Sequence, residues 1–92
     1  MITAVVLINA DVHRIPEAGQ AIAEIDGVTE VYSVTGGADL IAVVRVAEHD
    51  DLADVIADRI NKADGVISTD THIAFRTYSK SDLDAAFAIG LD

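Results

Sequence analysis

The chain has no cysteine and no tryptophan, a single proline, and few aromatic or basic residues. Without cysteine there are no disulfides, thiolate metal sites or thiol nucleophiles, which accords with a reducing cytoplasm. Only 6 Lys and Arg stand against 16 Asp and Glu, for a formal net charge of −10. That sign opposes DNA, RNA and anionic lipid, because cationic side chains drive binding to such polyanions. Aromatics are confined to Tyr32, Phe75, Tyr78 and Phe87. A sheet that reads RNA needs stacking aromatics on its inner strands as well as positive charge, and both are missing. Residues 1–10 are apolar but too short to cross a bilayer, with no basic residues before them and no cleavage-like end. They read as a buried strand, and the expected location is cytoplasmic.

What is present describes one folded domain. A chain of 92 residues that is 51% hydrophobic can build one core, though a thin one that subunit association would help. Residues 2–8 are rich in β-branched side chains and apolar on both faces, the pattern of a fully buried strand. Pro16 suits the first turn of a helix, Ile15, Ala18, Ile22 and Ile25 form its apolar stripe, and Gly27 ends it. Strands follow over residues 29–35 and 39–47. Glu48, Asp50, Asp51 and Asp54 open a second helix, where carboxylates favour the positive end of the dipole. Its stripe is Leu52, Val55, Ile56, Ile60 and Ala63, and Gly65 stops it. A fourth strand is predicted over residues 67–78. Ser81 with Asp84 resembles a capping box that opens a short last helix, with Leu83 and Phe87 on one side. The expected division is a domain over residues 1–80 and a helical tail over 81–92.

The two halves echo each other. Ile25-Asp26-Gly27-Val28 closes the first helix and Ala63-Asp64-Gly65-Val66 the second. Strand, helix, Asp-Gly-Val exit and strand recur in order, a doubled βαβ unit joined by a hairpin. This predicts an α+β, ferredoxin-like βαββαβ fold. Right-handed crossovers put both helices on one face of a four-stranded antiparallel sheet. The other face is then bare, yet the first and third strands do not alternate apolar with polar. A water-facing patch of Val, Ile and Leu is unusual for a monomer, so the sheet is expected to pack on a second copy with two-fold symmetry.

Three constellations could carry chemistry. At Thr35-Gly36-Gly37-Ala38-Asp39 the glycines allow positive φ and expose main chain. Free N–H groups there can bind a carboxylate, and Asp39 can pair with an ammonium. A plain hairpin turn accounts for the same residues. Thr69 and Thr71 share a face of the last strand with Ile73, while Ser68, Asp70 and His72 share the other. Hydroxyls two residues apart can hold a polar ligand, and β-propensity alone also explains threonines in a strand. Asp70 and His72 could both reach a metal, but no third ligand has telling spacing, and no metal or cofactor is expected. His13 and His49 lie near helix starts, where loop or capping roles suffice.

With these motifs in place, the chain resembles the effector-binding domain of the Lrp/AsnC regulators, also called the RAM domain. The carriers are the Gly-x-x-Asp turn at Gly36 to Asp39, the exit Asp64-Gly65-Val66, and the Thr-x-Thr strand at Thr69 and Thr71. The resemblance spans residues 2–80. It implies a sheet-to-sheet dimer forming a dimeric α/β barrel, dimers joined into rings of about eight subunits, and an amino acid or similar small effector between dimers. By position it assigns the ligand to Gly36, Gly37, Ala38, Asp39, Thr69 and Thr71. Family members often carry an aromatic in or after this turn, where Ala38 and Leu40 stand here. Full-length members begin with a helix-turn-helix, whereas residue 2 already enters a strand, so the stand-alone form is expected. It could act as a homo-oligomer or join a full-length regulator.

The expected function is therefore a non-catalytic, amino-acid-binding oligomerisation module of transcription regulation. The alternative is a small dimeric α/β-barrel enzyme of monooxygenase or isomerase type. Such enzymes need a roomy polar pocket between sheet and helices, and here His72 and Tyr32 are the only candidate groups. A module that binds no ligand is a further alternative.

Overall fold

A computed structural model describes residues 1–80. Strand β1 (Ile2–Ala10) leads to helix α1 (Ile15–Ala23), β2 (Val28–Ser33) and β3 (Leu40–Val46). Helix α2 starts at His49–Leu52 and runs on as a π-wound segment over Ala53–Ile60, and β4 (Val66–Ile73) closes the order. The sheet is antiparallel with strand order β2-β3-β1-β4. This is the expected ferredoxin-like arrangement. The expected tail helix over residues 81–92 lies outside the described residues. Among the described residues, no helix is long and apolar enough to cross a membrane.

The two central strands share one layout. Ala4, Val6, Ile8 and Ala10 of β1 and Leu40, Ala42, Val44 and Val46 of β3 are buried. They pack against Ala18 and Ile22 of α1 and against Leu52, Val55 and Ile60 from the second helix. Alternate residues point to opposite faces of a strand. Val5, Leu7, Ile41 and Val43 therefore face the other way, where they are only half-buried. Among the described residues, no helix covers that face.

The second helix opens with a carboxylate at its start, as expected: Asp51 Oδ2 accepts the Glu48 N–H at 3.1 Å. The π winding is an addition to the predicted stripe. It is built on i→i+5 bonds such as Asn61 N–H to Ile56 O at 2.9 Å. This brings Val55 and Ile60, five residues apart, to the same side, and both are buried. Gly27 is left-handed at φ 98°, and a Cβ there would sit 2.9 Å from Val55 Cγ2. The helix exit thus needs glycine for both conformation and space.

The last strand is shorter than predicted. Pairing ends with Ala74 N–H donating to Thr3 O at 2.9 Å, and residues 74–79 form no regular secondary structure. In this register Ile2 and Met1 stand opposite Phe75 and Arg76, so residues 77–78 lie beyond the start of β1.

Candidate functional site

The turn between β2 and β3 is held from below rather than from within. Val34 N–H donates to Asp39 O at 3.0 Å, and Asp39 N–H donates to Ile8 O at 2.9 Å. Asp39 Oδ2 then accepts the N–H of Ala10 at 2.9 Å. The β1–β3 ladder ends at the Ile8–Leu40 pair, so that amide lies just beyond it. A buried amide without an acceptor is costly, and Asp39 supplies the acceptor. The carboxylate expected to meet a ligand is thus already anchored through one oxygen to the end of β1.

Above this anchor the turn projects outward. Gly36 adopts φ 112°, the left-handed region that favours glycine, and a Cβ at Gly36 or Gly37 would meet nothing within 4 Å. Gly37 has no such conformational demand, so its lack of a side chain leaves space rather than relieving strain.

That space is a cleft of about 350 Å³ on the bare face of the sheet. The turn forms one wall with Thr35, Gly37 and Ala38, and β4 the other with Ser68, Thr69 and Asp70. Leu7, Val34 and Ile41 give it an apolar base, and Asn9 stands beside them. Asn9 Nδ2 donates to Ser68 Oγ at 3.3 Å, which ties the two central polar groups together. Of the six residues expected at a ligand, Gly37, Ala38 and Thr69 line this cleft. Gly36 shapes the turn and Asp39 braces it from beneath. Thr71 lies two residues further along β4, outside the cleft.

The two faces of β4 explain the distribution. Thr69 pairs with Ile8 and Thr71 with Val6, both buried against the helices, so the threonines face the helix side. Thr69 Oγ1 donates to Asn61 Oδ1 at the end of the second helix, at 2.6 Å. Ser68, Asp70 and His72 pair with Asn9, Leu7 and Val5 on the bare face. Sequence reasoning separated these two sets but chose the threonine face. Ser68, Asp70 and Asn9 also line the cleft, and the sequence reading did not assign them to a ligand. The signal was available: the β1 residue opposite each β4 residue decides which face is covered.

His72 Nε2 lies 3.2 Å from Asp70 Oδ2, and both side chains are solvent-exposed. No group of three or more His, Asp or Glu able to hold a metal occurs among the described residues. Tyr32 is on the same face, 50% exposed, and its O–H donates to Glu30 Oε2 at 2.6 Å. That hydrogen bond, reinforced by partial desolvation and the Glu30 charge, raises the Tyr32 pKa above its ordinary 10.0. The enzymatic alternative needs polar groups between sheet and helices. Ile8, Ile22, Ile60, Val6 and Val44 fill that layer, and no polar side chain is buried among the described residues.

Residues 3–83 match the Lrp/AsnC ligand binding domain. The chain belongs to this family. LrpA1 of Halobacterium salinarum, an HTH-type transcriptional regulator, is 39% identical over 72 residues, covering 78% of this chain and 49% of LrpA1. The chain thus spans about half the length of the curated relative it matches. Among solved structures, TTHA0845 from Thermus thermophilus is 48% identical, with a TM-score of 0.82 over 87% of this chain and 100% of that one. The feast or famine regulatory protein of Mycobacterium tuberculosis, solved with L-methionine, is 30% identical with a TM-score of 0.72. That match covers 87% of this chain and 54% of the other.

Proposed function

We propose that this chain is a non-catalytic module that binds an amino acid or closely similar small effector and self-associates through its bare sheet face. The carrying observation is the cleft between the Gly36–Gly37 turn and β4, an apolar base flanked by main chain and a few polar groups. Small-molecule sites commonly combine these elements. The relative solved with L-methionine lends the ligand class its support.

In this reading the amides of residues 36–38 hold the ligand carboxylate. The ammonium lies near the carboxylates of Asp39 and Asp70, with Ser68 and Asn9 completing its hydrogen bonds. Thr69 braces the β4 wall through Asn61, and Thr71 extends that wall toward a neighbouring subunit. The side chain rests on Leu7, Val34 and Ile41, which favours an aliphatic residue or methionine over a large aromatic. Assembly responds to the ligand because the cleft opens on the face that meets the second copy. A ligand stabilises whichever assembly state binds it better. The module works in the cytoplasm, as a homo-oligomer of dimers or with a longer regulator of its family.

Calorimetry of the full chain against the twenty amino acids tests this. Heat and thermal stabilisation from at least one aliphatic amino acid are expected at millimolar concentration. Gly37→Leu should abolish that response while leaving the melting temperature of the free protein within about 2 °C, since the site is open and its backbone ordinary. No response from any amino acid would refute ligand binding.

A further inference from the structure

The strand register sets the bare sheet face out in rows. Glu30 of β2, Val43 of β3, Val5 of β1 and His72 of β4 stand opposite one another across the whole sheet. Tyr32, Ile41, Leu7 and Asp70 form the next row. Each row is apolar and half-buried in the middle, and its two end residues are polar and exposed.

The two rims differ in chemistry. On the β2 rim, Glu30 Oε2 accepts the Tyr32 O–H at 2.6 Å. On the β4 rim, His72 Nε2 lies 3.2 Å from Asp70 Oδ2. Arg45 of β3, opposite Thr3 in the row beyond Val43, reaches Thr29 Oγ1 at 3.5 Å. Among the strand residues of this face, the charged or titratable groups are therefore Glu30, Asp70, Arg45, His72 and the phenol of Tyr32. With a neutral imidazole the face carries one net negative charge. With an imidazolium it carries none.

Two such faces can meet about a two-fold axis that runs either along the strands or across them. Packed sheets keep their strands aligned within about 30° and lie about 10 Å apart, so rim side chains of the two copies reach each other. An axis across the strands stacks β2 on β2, which sets the two Glu30 carboxylates on one rim and both imidazoles on the other. An axis along the strands stacks β2 of one copy on β4 of the other. Every Glu30 then faces an imidazole, and every Tyr32 faces an Asp70. A two-fold axis makes both contacts twice. The charges of the rows favour the second arrangement.

We propose that two copies pack bare face to bare face about an axis along the strands, that His72 of each pairs with Glu30 of the other, and that protonation of His72 tightens the dimer. This pairing deepens the self-association proposed above, on which it rests, and is independent of ligand binding. Asp70 stands beside His72 in the single chain, and association adds the Glu30 carboxylate, which has acceptor capacity beyond its bond to Tyr32. Arg45 lies nearer the middle of the face, one row away. The dimer takes up protons as it forms, so association strengthens as pH falls.

Sedimentation equilibrium of the full chain at about pH 8 and about pH 6 tests it, with far-UV circular dichroism to verify folding. Imidazoles are the side chains whose charge ordinarily changes over this interval. With two His72–Glu30 pairs per dimer, the dissociation constant should fall about fivefold or more on acidification. His72→Gln should cut that fall to about twofold or less, which separates His72 from His13 and His49. At about pH 6, Glu30→Lys and His72→Glu should each weaken association about threefold or more, because each sets like charges together. Combined in one chain, they should recover most of that loss and respond little to pH. A wild type that associates equally at both pH values, or a full response kept by His72→Gln, would overturn the switch and leave bare-face association standing. A double variant no tighter than either single one would overturn the pairing of His72 with Glu30. A wild type that stays monomeric at both pH values refutes the pairing and bare-face association together.

Discussion

The two faces of the sheet are built from nearly the same residues and meet different fates. On one, Val6, Ile8, Ala42 and Val44 lie fully buried beneath both helices. On the other, Val5, Leu7, Ile41 and Val43 come from the same strands and remain half in water. Side-chain chemistry does not separate the faces; the helices do. Apolar burial is non-directional, so a bare face of this composition is stabilised by any complementary apolar surface. One face is a finished core, and the other keeps a half-exposed apolar stripe and the turn-side cleft.

The largest expected break in the comparison is a polar or truncating change on each face. Ile8→Ala should cost about 2–5 kcal/mol by denaturant unfolding, because it empties space beneath the helices. Val43→Asp should leave that unfolding energy within about 1 kcal/mol for the monomer and abolish self-association in sedimentation. Equal destabilisation by both would mean that the bare face is not an interface.

The glycines sharpen the same contrast. Gly27→Ala combines a left-handed φ with a contact of 2.9 Å to Val55, and should cost about 3 kcal/mol or more. Gly36→Ala has the positive φ but open space, and should cost about 1 kcal/mol. Thermal unfolding of the two variants would rank them. Below these lies Asp39. Asp39→Ala strands the Ala10 amide and should cost about 1–2 kcal/mol, while Asp39→Asn keeps an acceptor and loses less. If Asp39→Asn keeps stability but loses amino-acid binding, the carboxylate charge serves the ligand as well as the fold.

The smallest effect is a titration. Tyr32 ionises above its ordinary value because Glu30 accepts its hydrogen bond. Its folded-state pKa is raised, so the linked stability is present below pH 10.0 and fades as pH rises through the folded value. Glu30→Gln should move the phenolate absorbance midpoint downward, with little change in stability because the ring is exposed. A midpoint unmoved by Glu30→Gln would remove Glu30 as the cause.

Much of the fold was legible in the order of residues. Two Asp-Gly-Val exits, two helical stripes and strands apolar on both sides define a doubled βαβ unit, and the bare face follows from its topology. The site was legible only in part. Gly36-Gly37 marked the turn, but nothing local to Asp39 said that its carboxylate would turn back to Ala10, 29 residues away. Thr69 and Thr71 drew attention as a pair, yet the covered partners Ile8 and Val6 put them on the helix side. The predicted β4 ran too far for a similar reason: a strand's length depends on its neighbour's, and β1 has no residue opposite Thr77 or Tyr78.

The sequence by itself determined the element types, the family pattern and the presence of an apolar sheet face without a cover. Those properties arise from local periodicity and turn chemistry, which residues close in the chain settle among themselves. Tertiary structure decided which side chains form the cleft, that Asp39 braces the turn, and that β4 ends at Ile73. Those depend on which strand lies opposite which, and strand pairing joins residues far apart in the chain.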